Sequence, residues 1–475
     1  MSRTETSSRA CREFDRLARV DRRSVLTAGF GGLLGCGLAG QLASRLLAAE
    51  NTAAAATART SGFGRAKRCI FLFMWGGPSQ LDTFDLKPDA PDNVRGPFQS
   101  VATKVPGLQV CEHFRQLPAL MDKVAVIRSL GHDDPAHLSS GHATVTGHLA
   151  PVVNSDKDPP SSKDSPHLGS LVSRIFPTPA TLPSFVMLPW KAYHPSAPGG
   201  QAPGQHGGWL GPAYDPLLVG GDPNSADWQV PALQLQDGVT ADMLADRYTL
   251  LKQLDAQRAA LDTAAAAARM TVDQAKAAGL LSSTAVRTAF DLSAESSATR
   301  DRYGRNIHGQ CVLLARRLVE QGVPVVNVNW HNDGQNFWDT HGNNFNRLKN
   351  DLIPVADRAL SALLADLDER GMLDDTIVAW VGEFGRKPQI SNGSGREHWP
   401  YCYSGLLSGG GVAGGAVYGA SDAQANYPAE NPVSPQDYAA TILHALGVDR
   451  GLALHSPDGR PHAVYGGKPI EALFA

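Results

Sequence analysis

The chain has 475 residues, of which 42% are hydrophobic and 19% are charged, and its formal net charge is −3. This composition is typical of a globular protein with a substantial hydrophobic core. Because there is no excess of basic residues, the sequence argues against a general nucleic-acid binder or a protein that binds anionic membranes.

Residues 1–49 have the features of a twin-arginine export signal. The pair Arg22-Arg23 precedes an apolar, glycine-rich stretch that is too short for a good membrane span, and small residues follow it. This order favours an export signal over a chance arginine pair in front of an apolar helix. It predicts cleavage near 49–56 and localisation in the periplasm or at the cell surface, with no membrane span in the mature chain. Lipidation at Cys36 is a minority alternative.

Short apolar runs, broken by turn-forming residues, predict buried strands after a linker over 50–66 that is rich in Ala, Thr and Ser. The runs are Cys69–Trp75, Val124–Arg128, Pro183–Leu188, Val323–Val328 and Thr376–Val381. A segment rich in Gly and Pro, 190–235, interrupts this pattern and is predicted to be a long surface excursion.

Helical periodicity dominates from about 240 to 318, and further helices are predicted over Leu352–Arg370 and Asp437–Leu446, each followed by a glycine. Strands that alternate with helices predict an α/β fold whose mainly parallel central sheet is covered by helices on both faces. We expect one such domain over 67–475. The sequence contains no GxGxxG or GxxxxGK[ST] motif, so nucleotide binding has no support.

The cysteines of the mature chain are widely spaced and form no CxxC pair. They are Cys69, Cys111, Cys311 and Cys402. Cys69 and Cys311 lie in apolar runs, so we expect them to be buried thiols. A disulfide framework is not predicted.

Acidic and histidine side chains gather just beyond the ends of two predicted strands and in the next glycine-rich loop. They are Asp339 and His341, with His331 and Asp333 upstream of them, then Glu383 and His398. In open α/β sheets this edge is where ligands bind, and divalent metals need converging carboxylate and imidazole donors. Each residue alone has an ordinary explanation, such as a helix cap or a satisfied histidine. Their shared position favours a common metal site.

His137 and His142 lie five residues apart in a polar segment that follows the Val124–Arg128 run. Either imidazole is a candidate general acid or base. The alternative is a polar loop that leads into a helix capped by Ser139 or Ser140.

Asp82, Arg386 and Arg396 complete the set of candidates. Asp82 follows the first predicted strand and is either a metal ligand or a turn former. Paired arginines suit a phosphate, sulfate or carboxylate group, because a guanidinium binds such anions bidentately. Their alternative role is a salt bridge to Glu383 or Glu397.

Several motifs match one protein family in sequence order. They include Gly76-Gly-Pro-Ser79, Asp82-Thr-Phe-Asp85, Trp338-Asp-Thr-His-Gly-Asn-Asn-Phe345, Gly382-Glu-Phe-Gly-Arg386 and Gly395-Arg-Glu-His-Trp399. From Lys67 to the C-terminus the chain resembles the exported bacterial proteins grouped as domain of unknown function 1501. It departs from the usual family pattern at Lys387 and Glu397, where Thr and Asp are typical.

This resemblance implies a branch of the alkaline phosphatase and sulfatase superfamily, in which a parallel sheet carries one or two metals and a Ser, Thr or formylglycine nucleophile. The segment His137–Gly147 can be laid on the sulfatase signature, and His137 then takes the position of the nucleophile. The implied metal ligands are Asp339, His341, Glu383 and His398. The missing nucleophile and a missing second histidine beside Glu383 weaken the case for hydrolysis.

The leading hypothesis is an exported hydrolase that acts on a phosphate or sulfate ester, either a small anionic ester or a sulfated or phosphorylated glycan. It would use a divalent ion (zinc, manganese or calcium) to polarise the ester oxygen and activate water. The alternative is a non-catalytic binding or scaffold protein that retains the fold but has lost the chemistry. Metal analysis of the purified protein discriminates best between the two.

Overall fold

An eight-stranded, mainly parallel sheet forms the centre of the protein. Its strands are β1 (Arg68–Phe73), β2 (Val124–Leu130), β3 (Phe185–Leu188), β4 (Leu217–Leu218), β5 (Val325–Asn329), β6 (Thr376–Val381), β7 (Tyr403–Ser408) and β8 (Val417–Tyr418). The spatial order is β8-β2-β7-β6-β1-β5-β3-β4. Strand β7 runs antiparallel to both of its neighbours, β2 and β6, whereas the other pairs are parallel.

The computed structural model describes residues 61–179, 181–230, 283–330 and 337–474, with scattered positions between 238 and 279. Its main helices are α1 (His137–Thr146), α2 (Leu168–Ile175), α3 (Thr284–Phe290), α4 (Ser297–Tyr303), α5 (Ile307–Glu320), α6 (Ile353–Glu369) and α7 (Pro435–Ala445). Short helices cover Asp92–Arg95 and Asn344–Arg347, and a π-helical turn over Leu348–Leu352 leads into α6. Small antiparallel ribbons pair Ser100–Ala102 with Gln109–Cys111, Gly385–Arg386 with His398–Trp399, Ala420–Ser421 with Pro428–Glu430, and Ala453–His455 with Pro461–Ala463.

The two faces of the sheet bury separate hydrophobic clusters. In β1, Ile70 and Leu72 pack with α3, α5 and α6 on one face, whereas Cys69, Phe71 and Phe73 pack with α1, α2 and α7 on the other. Side chains alternate along a strand, so a strand covered on both sides must be apolar throughout. This arrangement confirms the predicted α/β class, with helices on both faces of a mainly parallel sheet.

Several predicted elements match closely, and the differences have local causes. The predicted strand Thr376–Val381 is β6 residue for residue, whereas the antiparallel strand β7 was not predicted. Helix α5 lies at the end of the predicted helical region and begins at Ile307, where the Asn306 side chain accepts a hydrogen bond from the Gly309 backbone N–H at 2.9 Å. That contact is an N-terminal cap, which fixes the first turn.

Two segments, one predicted as a linker and the other as a surface excursion, are packed against the rest of the protein. The end of the predicted linker, 61–66, contacts α7: the Ala66 backbone N–H donates to the Ala445 carbonyl at 2.8 Å. The Gly- and Pro-rich segment 190–235 supplies the edge strand β4 and the buried Gln205. Gln205 donates to the Ala192 carbonyl at 2.9 Å and thereby ties this segment to itself.

Some predictions fall outside the described residues. These are the export signal with Arg22, Arg23 and Cys36, most of the helical pattern between 240 and 282, and the pair His331 and Asp333. The described cysteines are Cys69, Cys111, Cys311 and Cys402, and each is a free, buried thiol, as expected for Cys69 and Cys311. Within the described ranges, no helix combines the length and the apolar character needed to cross a membrane.

Candidate metal centre

The parallel strands deliver the candidate residues to one edge of the sheet. Phe73 at the end of β1 is in register with Asn329 at the end of β5 and with Val381 at the end of β6. The loops that follow β5 and β6 carry Asp339 and Glu383. Because these strand ends lie level with one another, the two loops meet, as expected for the carboxyl edge of an open sheet.

Two glycines allow the loops to come this close. At Gly76, where φ is 106°, an added Cβ would lie 2.2 Å from the Asp339 backbone nitrogen. At Gly395, an added Cβ would lie 1.7 Å from the carbonyl oxygen of His341. Both distances are far below van der Waals contact, so glycine is required at each position. Gly395 therefore fixes the loop that carries His398 against the loop that carries His341.

Three acceptor atoms form a tight triangle at this edge. The Nε2 atom of His341 lies 2.9 Å from Asp339 Oδ1 and 2.9 Å from His398 Nε2, and His398 Nε2 lies 3.2 Å from Asp339 Oδ1. His137 Nε2 approaches the other carboxylate oxygen, Oδ2, at 3.5 Å. One donor atom each from His137, Asp339 and His398 lies within 4.8 Å of the others. The predicted convergence of Asp339, His341 and His398 is thus observed.

Each imidazole uses its outer nitrogen on a second partner. His398 Nδ1 lies 2.8 Å from the Pro135 carbonyl, so it must donate, and its Nε2 lone pair faces inward. His341 Nδ1 likewise donates to the Glu397 carboxylate. Metal-binding histidines show this arrangement, because an outer acceptor fixes the tautomer and orients the ring. Inward lone pairs beside a carboxylate oxygen repel one another unless a proton or a metal ion lies between them.

Glu383 contacts the cluster through His137. It is completely buried, and its Oε1 accepts hydrogen bonds from His137 Nδ1 at 2.6 Å and from the Gly76 backbone N–H at 2.8 Å. Its Oε2 has no hydrogen-bond partner within the described residues. Glu383 was predicted as a metal ligand, but these contacts give it a different place: it orients His137 instead of facing the triangle.

Arg386 brings a buried positive charge to the same carboxylate. Its guanidinium is completely buried and lies 2.5 Å from Asp339 Oδ1. It also donates to the backbone carbonyls of Gly76, Gly77 (3.0 Å) and Arg396 (3.2 Å). Its donors are therefore used inside the protein, which leaves little capacity for the anion-binding role predicted from the sequence.

These contacts shift the pKa values in opposite directions. Burial opposes ionisation of Asp339, but Arg386 and the imidazoles outweigh it and hold the pKa of Asp339 well below its usual range. Burial disfavours the charged form of His137, yet Asp339 and Glu383 raise its pKa to about 9. The hydrogen bond to Asp339 raises the pKa of His341, whereas burial lowers that of His398. Asp339 is thus an ionised carboxylate that attracts cations.

Asp82 and Arg396, predicted as a metal ligand and an anion-binding residue, pair with each other in the interior. Both are completely buried, and Arg396 Nε lies 2.7 Å from Asp82 Oδ2. Arg396 also donates to the Val94 carbonyl at 2.7 Å and to the Pro388 carbonyl. The charges of the two residues balance each other, so the pair is a structural contact and we place neither residue in the site.

His142 also lies outside the cluster. Helix α1 begins at His137, with Ala136 at the cap position, so Ser139 and Ser140 are inside the helix and do not cap it. Five residues further along, the ring of His142 accepts from the Ser165 backbone N–H at 3.2 Å and faces the His148 carbonyl at 3.2 Å. With both nitrogens bonded to backbone, His142 is a buried structural residue and not the acid or base predicted.

Sequence reasoning missed two members of the surroundings. Glu397 was weighed only as a partner for arginine, although it receives the Nδ1 proton of His341. His194 lies in the segment predicted to be a surface excursion, and its ring centroid is 5.5 Å from that of His137. The position of Glu397 directly before the candidate ligand His398 could have indicated that Glu397 lies near the site. Nothing in the local sequence around His194 indicated its position.

The donor set fits a divalent transition metal. Imidazole nitrogens with one carboxylate oxygen suit zinc and similar ions, whereas calcium takes six to eight oxygen ligands. In a tetrahedral zinc site with bonds of ~2.0–2.1 Å, ligand atoms are separated by roughly 3.3 Å. The spacings of 2.9–3.2 Å within the triangle are close to that value.

Several solved structures resemble the chain at low similarity. PsFucS1 sulfatase from Pseudoalteromonas sp. is 15% identical, with a TM-score of 0.37, over 82% of this chain and 69% of that chain. The phosphonate monoester hydrolase SpPMH from Silicibacter pomeroyi is 12% identical, with a TM-score of 0.35, over 80% and 73% of the two chains. Ps i-CgsB, solved in complex with k-i-k-neocarrahexaose, is 12% identical, with a TM-score of 0.39, over 81% and 72%. At such TM-scores these similarities support no functional conclusion.

Comparison with family models gives a firmer result. No curated protein matches the chain in sequence. The model described as "Protein of unknown function (DUF1501)" matches residues 66–474. This agrees with the resemblance that the motifs at Gly76, Asp339 and Gly395 indicate. The chain belongs to the DUF1501 family.

Proposed function

We propose that the protein is a metal-dependent hydrolase of phosphate or sulfate esters. The observation that carries this proposal is the triangle of Asp339 Oδ1, His341 Nε2 and His398 Nε2, whose atoms lie 2.9–3.2 Å apart while the outer nitrogen of each imidazole has another partner. A divalent ion held there would polarise an ester oxygen and activate water. The function therefore needs no nucleophilic side chain.

The buried thiols do not supply an alternative nucleophile. Burial raises the pKa of Cys69 to about 12, and burial likewise raises that of Cys111 to about 12. A thiol attacks as its thiolate, so these groups are inert at neutral pH. The candidate reactive groups among the described residues at the edge of the sheet are the imidazoles and the carboxylate of Asp339.

The electrostatics of the site link anion binding to metal binding. The carboxylates of Asp339, Glu383 and Glu397 lie at or near the triangle, and the positive charges of Arg386 and of His137, whose pKa is raised to about 9, oppose them. A divalent ion would add two positive charges to this nearly balanced site, so we expect an anionic ester to bind more tightly to the metal-loaded protein.

Among the described residues, His137 is the best candidate for proton transfer. Glu383 holds its Nδ1 proton, and its Nε2 approaches Asp339 Oδ2, away from the triangle around Oδ1. Its ring stacks on Trp75 at a centroid distance of 5.6 Å and makes a tilted contact with Phe384 at 4.9 Å, and these contacts restrict its orientation. A fixed imidazole beside the reacting group meets the geometric requirement for a general acid or base.

Metal content and thermal stability test the proposal together. A metal that binds only the folded state adds about 2.7 kcal/mol at a hundredfold excess over Kd, so a chelator should lower the melting temperature. His398→Ala should lose the metal and the response to chelator, whereas the control His455→Ala, at an exposed position in the C-terminal ribbon, should keep both.

The opposite result would favour a binding or scaffold protein. A proton shared between His341 and His398 would also satisfy the contacts of the triangle. A wild-type protein with no metal by elemental analysis and no response to chelator would overturn the metal site and leave the shared proton as the explanation of these short contacts. If metal is present, hydrolysis of a series of phosphate and sulfate esters decides between catalysis and binding.

We also propose export by the twin-arginine route, on the pattern that begins at Arg22-Arg23. Replacement of both arginines by lysine should leave the precursor in the cytoplasm, as judged by fractionation and immunoblotting. Matched replacement of Arg9 and Arg12, which lie upstream of the pair, should not affect export. Normal export of the Arg22→Lys/Arg23→Lys variant would rule out this route.

A further inference from the structure

An exposed aromatic cluster lies next to the candidate metal centre in sequence and has no role in the chemistry described so far. The rings of Trp399 and Tyr401 are 4.9 Å apart, those of Trp399 and Tyr427 are 5.8 Å apart, and those of Tyr401 and Tyr427 are 5.7 Å apart. Tyr427 is 52% exposed and Tyr401 is 38% exposed. Because the three rings contact one another, they form a contiguous aromatic surface, and it is such patches, not single exposed rings, that mark interaction sites.

The backbone holds this cluster rigidly. Trp399 Nε1 donates to the Asn426 carbonyl at 2.6 Å. The Asp422 carboxylate accepts the backbone N–H groups of Gln424, Asn426 and Tyr427 at 2.9–3.1 Å, which fixes the loop that carries Tyr427. A prebuilt surface loses little conformational entropy when a ligand binds, so the rings are arranged for binding before the ligand arrives.

Two backbone connections join the cluster to the candidate metal centre. Trp399 directly follows His398 in the ribbon with Gly385–Arg386. The Pro400 carbonyl accepts the backbone N–H of His132, whose ring Nε2 lies 2.7 Å from the Glu383 carbonyl. The surface that carries the cluster is therefore continuous with the loops that build the site.

We propose that Trp399, Tyr401 and Tyr427 bind a pyranose ring of an extended anionic glycan whose ester group lies at the metal centre. This assignment of the substrate class rests on the proposed hydrolase function. The C–H face of a pyranose packs on an aromatic face, and tyrosine adds a hydroxyl at the wet edge of the ring. A short anionic ester has no such face, so the cluster favours the glycan over a small substrate.

The geometry of the ribbon also predicts the length of the ligand. Successive side chains in a strand point to opposite faces, so Trp399 lies on the opposite face of the ribbon from His398. A single sugar unit would therefore have to cross the ribbon to contact both the metal centre and the rings. A chain of several units that crosses the edge of the ribbon can reach both, which predicts that affinity rises with glycan length.

Binding to defined sulfated oligosaccharides tests this inference. The probes are a sulfated monosaccharide and sulfated and phosphorylated hexasaccharides, titrated calorimetrically into metal-loaded and chelated protein. Removal of one ring contact worth about 1.4 kcal/mol should weaken hexasaccharide binding about tenfold in Tyr427→Ala. Tyr427→Phe keeps the ring and should bind like wild type, as should Phe176→Ala, a control at a 41% exposed ring after α2.

The outcomes separate this inference from the proposed function. Hexasaccharide affinity that is lower in Tyr427→Ala than in Phe176→Ala supports the aromatic subsite, even if the protein holds no metal. Equal affinity in wild type, Tyr427→Ala and Tyr401→Ala would overturn it, even if ester hydrolysis is established. Binding of none of the hexasaccharides would also overturn the glycan assignment and would leave a protein partner as the occupant of the rings.

Discussion

The buried pair of Asp82 and Arg396 provides a quantitative test of how the loops around the site are held. Both side chains are completely buried, and Arg396 approaches the carboxylate through Nε at 2.7 Å and Nη2 at 3.1 Å. Asp82 also accepts from Ser79 Oγ at 2.6 Å and from Asn344 Nδ2 at 3.0 Å. Replacement of Arg396 by Met would leave this carboxylate buried without its cation.

Removal of one partner of a buried ion pair costs about 3–5 kcal/mol, because the remaining charge stays desolvated. We therefore expect Arg396→Met to lower the free energy of unfolding by about that amount, as measured from urea unfolding curves. The double variant Asp82→Asn/Arg396→Met contains no unpaired charge and should be more stable than Arg396→Met alone. A loss below about 1 kcal/mol, with no recovery in the double variant, would refute this reasoning.

The single substitution Asp82→Asn tests whether Asp82 is a metal ligand. Because its oxygens are used by Arg396, Ser79 and Asn344, the folded Asp82→Asn protein should bind metal with wild-type affinity. Metal titration below the unfolding temperature measures this directly. A folded Asp82→Asn protein that has lost its metal would restore Asp82 as a ligand, as the sequence alone predicted.

Three further predictions concern single residues. Glu397→Gln should weaken metal binding about tenfold in a competition titration, because an outer partner that orients a ligand is worth 10–100-fold and this one is half exposed. Burial lowers the pKa of His142 from 6.5 to about 4, so the unfolded chain binds the extra proton and stability should fall by up to about 3 kcal/mol as pH drops through that range. His142→Gln should flatten this dependence in acid unfolding curves. Gly395→Ala should reduce both thermal stability and metal affinity, because its Cβ would displace the loop of His341.

The sequence was sufficient to predict which loops meet, because it shows where apolar strands end. Asp339 and His398 follow such runs, and parallel strands bring their carboxyl ends to one edge. The sequence could not assign partners within that edge. Asp82 and Asp339 are both acids after a strand, yet one is neutralised by Arg396 and the other faces the imidazoles. That difference depends on contacts between residues that are far apart in the sequence, such as Asp82 and Arg396, which are 314 residues apart.

The strand missed by sequence reasoning illustrates the same limit. Strand β7 begins at Tyr403, four residues after the ribbon that carries His398, and it contains polar and small residues such as Ser404 and Gly405. Its apolar content is too low for a recognisable buried run. Its antiparallel pairing with β6 is nevertheless what returns the chain to the sheet beside the site.

The coordination number is the feature that separates a catalytic centre from a structural one. Structural zinc sites are closed by four protein ligands, whereas catalytic sites keep one position for water or substrate. His341 and His398 both face Oδ1 of Asp339, at 2.9 and 3.2 Å, whereas His137 faces Oδ2 at 3.5 Å. This asymmetry predicts three protein ligands and an open position beside His137.

His137→Ala should accordingly retain the metal but lose ester hydrolysis, by the factor of 10²–10⁴ typical of general acid–base catalysis. His398→Ala should lose both, because it removes a ligand. X-ray absorption at the metal edge counts the imidazole ligands directly and should give the same number in wild type and in His137→Ala. A metal lost from His137→Ala, with one fewer imidazole in its spectrum, would show a closed site. The metal would then stabilise the loops without chemistry, because no position would remain for the ester oxygen.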